Sequence, residues 1–222
     1  MVKRESYAVI GLGQFGSSLC QSLVRAGQEV LAIDNNEEVV NEYVDTVMQA
    51  VIADAQDEDA LRDLDLGSYD HVYISIGQNV EASIMATLIV KDLGAPDVIC
   101  RAENANHARV LERVGADQVV RPEHDLAKRL IFQQLHPGVV DYVQLSKKLT
   151  LAEIQVKNQK FYGKTLDELD FRNRYNVTVI LIVGADDKVN DMPQASDAIS
   201  PYDKLTVVGN LKDIQKLDDL LS

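Results

Sequence analysis

The sequence predicts an α/β fold, a doubly wound parallel sheet, followed by a small α+β C-terminal lobe. Three observations carry this. Through the first 136 residues, six short apolar runs alternate with six segments of helical period, the pattern of a parallel sheet covered on both faces. After Gly138 that alternation stops, and the pattern becomes one of mixed strands and short helices. The charge changes at the same place. Residues 1–136 hold 11 Lys/Arg against 22 Asp/Glu, a net of −11, whereas residues 137–222 hold 11 against 13, a net of −2. The break coincides with His136-Pro137-Gly138, so domains are expected at 1–136 and 137–222.

In order along the first domain, strands are expected at 7–10, 29–34, 50–53, 71–76, 98–101 and 118–120. Helices are expected at 14–26, 37–44, 58–64, 80–93, 105–114 and 123–135. The acidic run Asp57 to Asp59 suits the positive N-terminal end of the third helix. Gly27, Gly94 and Gly115 stand where helices stop. In the second domain strands are expected at 152–156, 177–183 and 204–208. Thr165 and Glu168 have capping-box spacing for a short helix, 184–188 reads as a hairpin turn, and 211–221 as a closing amphipathic helix.

The central motif is Gly11-Leu12-Gly13-Gln14-Phe15-Gly16. It follows a strand and opens a helix, and the acidic Asp34 ends the next strand 18 residues after Gly16. This is the Rossmann-like arrangement. Gly11 permits the tight turn, Gly13 lets backbone approach a diphosphate, and Gly16 lets helix pack on strand. The helix N-terminus offers free N–H groups to phosphate. Asp34 suits the ribose hydroxyls of an adenine nucleotide. Its charge opposes a 2′-phosphate, and Asn35-Asn36 supplies no cation, so NADP is not expected. Asp34 could also cap the second helix, and both roles could hold together. NAD, ADP and ATP remain open on these residues. Other strand ends converge on the same crevice. Asp54 and Ala55 lie beside an adenine, Gly77 allows close approach, Asn79 can hydrogen-bond, and Arg101 is the best cation for phosphates. Glu123 could help hold a divalent cation, or could serve as an ordinary first-turn acid.

Several classes are disfavoured. A formal charge of −13 argues against a nucleic-acid partner. No apolar run approaches the roughly 20 residues that span a bilayer, and the start Met1 to Glu5 has no signal-peptide pattern. Cys20 and Cys100 read as buried thiols of a cytoplasmic protein. No Tyr-x-x-x-Lys, G-x-S-x-G, H-E-x-x-H or P-loop lysine motif is present, and the four histidines are scattered. No enzyme is expected, and binding outranks catalysis.

Five stretches carry a resemblance: 7–16, 29–34, 76–83, 110–117 and 121–125, with Leu111 to Asp117 followed by Pro122-Glu123 the most specific. They resemble the cytoplasmic regulatory subunits of bacterial Ktr/Trk potassium uptake systems, built from RCK domains (regulators of K⁺ conductance). The resemblance implies a cytoplasmic subunit, peripheral on the inner face of the membrane, that dimerises and forms an octameric ring beneath an integral-membrane K⁺ transporter subunit. It implies that ADP and ATP compete for the crevice and that ATP with Mg²⁺ or another divalent cation favours conduction. Carried over, Gly11, Gly13 and Gly16 hold phosphates with Gln14 and Phe15 beside them. Asp34 takes the ribose, Asp54 and Ala55 the adenine, Arg101 a phosphate, and Glu123 the cation. Many members have Arg where this chain has Gln14, which implies altered reading of a γ-phosphate. Some relatives bind cyclic di-AMP in the C-terminal lobe. Asp170 and Arg172 match that pattern, while Asp167 and Thr178 depart from it. The alternatives carried beside this reading are an NAD(H) redox sensor and a small NAD-dependent oxidoreductase.

Overall fold

The structure, a computed structural model, describes residues 5–136, 138–146 and 148–222. Residues 1–4, and Pro137 of the expected boundary, lie outside the described residues. In the first unit six strands form one sheet: β1 (Ser6–Ile10), β2 (Glu29–Asp34), β3 (Gln49–Ile52), β4 (His71–Ile74), β5 (Val98–Arg101) and β6 (Gln118–Val120). Their order is β3-β2-β1-β4-β5-β6, and every pairing is parallel. The crossover helices are α1 (Gln14–Arg25), α2 (Glu37–Asn41), α3 (Glu58–Asp63), α4 (Val80–Asp92) and α5 (Ala105–Val114), and α6 (Pro122–Leu135) follows β6. This is the doubly wound order, and it reverses between β1 and β4.

The central strands show why the fold forms. Ala8, Ile10, Leu31 and Ile33 pack into one core cluster, while Val9, Val30 and Ala32 pack into another. Successive side chains thus serve opposite faces of the sheet, and both faces are covered. Burying each of the larger side chains contributes about 1.5–3 kcal/mol. Cys20 and Cys100 are free and buried, and burial pushes their thiols up to about 12 and about 11. Among the described residues, no helix is long and apolar enough to cross a membrane.

At the amino ends of the strands, His71 lies between two carboxylates. Its Nδ1 is 2.6 Å from Asp97 and its Nε2 is 3.2 Å from Glu5, while Tyr7 stacks on the ring at 4.9 Å. Burial opposes the charged imidazole, but hydrogen bonds to Asp97 and Glu5 outweigh it, and its pKa is raised. The folded value exceeds the unfolded one. The stabilisation is therefore fully present below about pH 6.5 and fades as pH rises through the folded value. His71→Asn is expected to lower Tm more at about pH 6 than at about pH 9. Equal losses at both would show that the imidazole carries no charge there.

The second unit holds an antiparallel sheet of β7 (Val139–Gln144), β8 (Thr150–Gln155), β9 (Val177–Val183), β10 (Val189–Asn190) and β11 (Lys204–Gly209), in the order β10-β9-β11-β8-β7. Short helices α7 (Leu166–Leu169) and α8 (Phe171–Tyr175) precede β9, and α9 (Leu211–Leu221) closes the chain. Buried Thr150, Ala152 and Ile154 alternate along β8. Ile214, Leu217 and Leu221 recur at helical spacing on α9 and join the same core as Ala152 and Ile154. The capping box is formed: Glu168 N–H donates to Thr165 Oγ1 at 3.2 Å, and Thr165 N–H donates to Glu168 Oε2 at 2.8 Å.

The two units divide between His124 and Asp125, ahead of the expected 136/137 break. Side-chain packing explains the difference. Phe132 joins the core of the second unit, with its ring 4.3 Å from that of Tyr142, and Arg129 donates to Asp141 at 2.8 Å. The later turns of α6 therefore belong to the second unit.

Candidate functional site

A cavity of about 480 Å³ opens at the carboxyl ends of the parallel strands, within the range of ligand pockets. From the β1–α1 turn it is lined by Gly11, Gly13, Gln14 and Phe15. The ends of β2 and β3 bring Asp34, Asp54 and Ala55. The ends of β4 and β5 bring Gly77, Asn79 and Arg101, and Glu123 comes from the first turn of α6.

Gly16 does not line the cavity; it packs beneath it. A Cβ there would lie 1.9 Å from the Gly11 carbonyl oxygen. Gly11 has φ +92°, which L side chains rarely adopt. A Cβ on Gly13 would meet nothing within 4 Å, so this residue faces open space. The first α1 bond runs from Ser17 N–H to the Gly13 carbonyl at 2.8 Å, and the N–H groups of Gln14, Phe15 and Gly16 come before it. No side chain caps this helix end.

Asp34 supports the loop. Its Oδ2 accepts from Leu12 N–H at 2.7 Å and its Oδ1 from Asn36 N–H at 2.9 Å. The N-cap of α2 is Asn36 and not Asp34. Asn79 caps α4, with its Oδ1 accepting from Ala82 N–H at 3.0 Å, so its oxygen is engaged while it lines the cavity. Asp54 Oδ1 accepts from Gln56 N–H at 2.9 Å.

Arg101 lies across Gly77. A Cβ on Gly77 would come 1.5 Å from the guanidinium, so only glycine leaves room for this placement. Arg101 donates to Glu123 Oε1 at 2.5 Å, and Glu123 is the more exposed partner, 67% against 20%. The Glu123 carboxyl is held below its usual range by its own backbone N–H and by Arg101. Sequence reasoning named both residues but missed that they pair. It also missed Ser75, whose hydroxyl is buried without a hydrogen-bond partner, as is Arg101 Nε. No motif marks a serine at a strand end. These two orphan polar atoms, the free N–H groups and the open face of Gly13 fit an anionic, phosphate-bearing ligand.

A second cavity, of about 250 Å³, lies in the second unit and is lined by Asp170 and Arg172, with Phe171, Val179 and Pro193. Asp170 has φ +46° and accepts from Asn173 Nδ2 at 2.8 and 3.0 Å. Thr178 is not among the lining residues. Its neighbour Val179 is, because successive side chains of β9 point to opposite faces.

The TrkA-N domain model matches residues 7–122 and the TrkA-C domain model residues 151–222. The chain is 40% identical to Ktr system potassium uptake protein C of Bacillus subtilis, over 97% of this chain and 96% of that one. It is 36% identical to Ktr system potassium uptake protein A of the same organism, over 98% and 97%. Among solved structures, the GsuK RCK domain superposes with a TM-score of 0.63 at 18% identity, and the GsuK channel bound to NAD with 0.64 at 18%. Both cover all of this chain, which spans 48% and 40% of theirs. With both domain models matched in order and relatives aligned end to end, the chain belongs to the TrkA-N/TrkA-C family of Ktr- and Trk-type potassium uptake proteins, built on the RCK fold.

Proposed function

We propose that the chain is a cytoplasmic regulatory subunit that senses adenine nucleotides, ADP and ATP, and gates an integral-membrane K⁺-translocating partner. The observation that carries this reading is one cavity holding an acidic strand end, Asp34, together with an uncapped helix N-terminus and the Arg101 guanidinium. Asp34 accepts hydrogen bonds from the ribose, and the α1 N–H groups and Arg101 hold the phosphates. The names of the relatives support a role in potassium uptake.

Arg101 and Glu123 supply the switch. A phosphate oxygen competes with Glu123 for Arg101, and the released Glu123 carboxylate is free to accept a divalent cation such as Mg²⁺. Glu123 stands in the first turn of α6, so the exchange acts on the helix that leads into the second unit. The chain assembles as dimers and as an octameric ring, so that a preference for one ring state becomes a change in gating. No acid–base step is assigned to it. The second cavity is the proposed seat of cyclic di-AMP, with Arg172 as its cation. NAD(H) is the second reading, favoured by Asp34 and by the NAD of the GsuK channel.

A thermal-shift panel of ATP, ADP, NAD, NADH and cyclic di-AMP, with and without Mg²⁺, tests the proposal. A ligand at 100 times its dissociation constant adds about 2.7 kcal/mol. Shifts with ATP and ADP are expected. A shift with NADH alone would move the chain to the second reading, and no shift with any adenine ligand would end both. Gln14→Arg is expected to raise the ATP-to-ADP affinity ratio about tenfold, through one added charge-assisted bond to the γ-phosphate. An equal gain for both nucleotides would show that position 14 does not reach that group.

A further inference from the structure

A second cluster lies apart from both cavities, within the second unit. Among the described residues, His136, Asp218 and Asp219 are the group whose ligand atoms, one nitrogen and two carboxylate oxygens, all fall within 4.8 Å of one another. His136 follows the end of α6, and the two aspartates stand in the last turns of α9. We propose that these three side chains bind a divalent transition-metal ion, with Zn²⁺ as the fitting case.

The geometry distinguishes this cluster from an ordinary ion pair. His71 in the same chain closes on Asp97 to 2.6 Å. His136 Nδ1 stops 3.5 Å from Asp218 Oδ2, and this buried nitrogen has no hydrogen-bond partner. A tetrahedral ion with bonds of about 2.0–2.2 Å sets neighbouring ligand atoms roughly 3.3–3.6 Å apart. The observed separation is longer than a good hydrogen bond and matches such a coordination edge.

The surroundings hold the ligands in place. Asp218 is 2% exposed, and its Oδ1 accepts from Ser222 Oγ at 3.3 Å, which leaves Oδ2 toward the imidazole. A Cβ on Gly138 would come 2.0 Å from Asp218 Oδ1, so glycine is what lets the backbone pass this close to the carboxylate. The Phe132 ring, 4.7 Å from that of His136, fixes the imidazole plane. Carboxylate burial is costly without a compensating cation, and here one is supplied from outside the chain. Asp219 is exposed and provides both the third ligand and the entry side, leaving a fourth position for water. An imidazole ligand favours zinc and its neighbours over Mg²⁺ or Ca²⁺, which prefer oxygen. Metal binding would fasten the segment after α6 to the C-terminal helix.

The test uses the tag-free full-length chain, stripped with chelator and titrated by calorimetry with Zn²⁺ and separately with Mg²⁺. One Zn²⁺ per chain is expected, with no comparable Mg²⁺ binding. His136→Gln and Asp219→Asn, with folding checked by circular dichroism, are each expected to weaken Zn²⁺ binding at least tenfold. Co²⁺ is expected to give visible ligand-field bands that His136→Gln abolishes. Absence of stoichiometric Zn²⁺ binding, or binding left intact by His136→Gln, would overturn the assignment.

Discussion

Gly16→Ala is expected to cost both stability and ligand binding, whereas Gly13→Ala costs binding alone. The added methyl at Gly16 meets the Gly11 carbonyl oxygen at 1.9 Å and the Ser75 hydroxyl at 3.2 Å. The first contact is backbone and has no rotamer to yield, so the β1–α1 turn must move. Forced overpacking of this kind costs about 1–3 kcal/mol, equivalent to a fall in Tm of roughly 2–12 °C for a chain of this size. The shifted turn also carries the N–H groups of α1 out of register with the phosphates, and affinity for ADP falls by more than about tenfold, or 1.4 kcal/mol. Gly13 differs in both respects. Its φ of −62° suits any residue and its methyl meets no protein atom, so Tm stays as in the parent. The methyl instead occupies space over the helix N-terminus where the diphosphate approaches. Calorimetry with ADP and a melting curve on the same samples separate the two. A Gly13→Ala chain that binds every adenine ligand normally would show that the turn does not cradle phosphate.

The contrast between these two glycines also marks how far the sequence could be read. Spacing in 11–16 gave all three glycines a place, and the strand-end rule led to Asp34, Asp54, Gly77, Arg101 and Glu123, which the structure gathers round one cavity. Parallel sheets make this legible, because each strand end must face the same crevice wherever its helix lies. Pairings were not legible. Arg101 and Glu123 are 22 residues apart, and their contact depends on β5 and β6 lying in register. The second unit was harder. β7 reads Val-Val-Asp-Tyr-Val-Gln and is half exposed, without the alternation that marked β8. α8 has five residues and follows α7 through a left-handed Asp170, too short for a helical period to emerge. Thr178 was grouped with Asp170 and Arg172 by resemblance, but the two-residue period of β9 turns it to the other face. The cluster of His136, Asp218 and Asp219 joins positions some 80 residues apart and has no local signature.

Changes at Arg101 and Glu123 are expected to act in opposite directions. Arg101→Ala removes the guanidinium that lies over Gly77 and leaves Glu123 at the cavity rim without its partner. A charge-assisted bond to phosphate contributes about 1.5–3 kcal/mol, so ADP and ATP affinities should fall roughly 10- to 100-fold. Repulsion from the unpaired carboxylate adds to the loss. Glu123→Gln removes the competitor instead. Without divalent cation, Arg101 is released from its ion pair and meets phosphate at lower cost, so ADP should bind more tightly, by a few-fold, because the pair is partly exposed. With Mg²⁺ present the sign reverses for ATP. The parent chain can offer a carboxylate to the cation and the variant only a neutral amide, so the gain that Mg²⁺ gives to ATP should shrink. Measuring ADP and ATP affinities for both variants, each with Mg²⁺ and with chelator, yields a pattern no general loss of stability reproduces. The double variant sharpens it. Because that repulsion acts on phosphate directly, adding Glu123→Gln to Arg101→Ala restores part of the lost ADP affinity, while the Mg²⁺ effect is lost as in Glu123→Gln alone. A Glu123→Gln chain whose ATP affinity rises with Mg²⁺ as much as the parent's would remove Glu123 from the cation site and leave it as a latch on Arg101 alone.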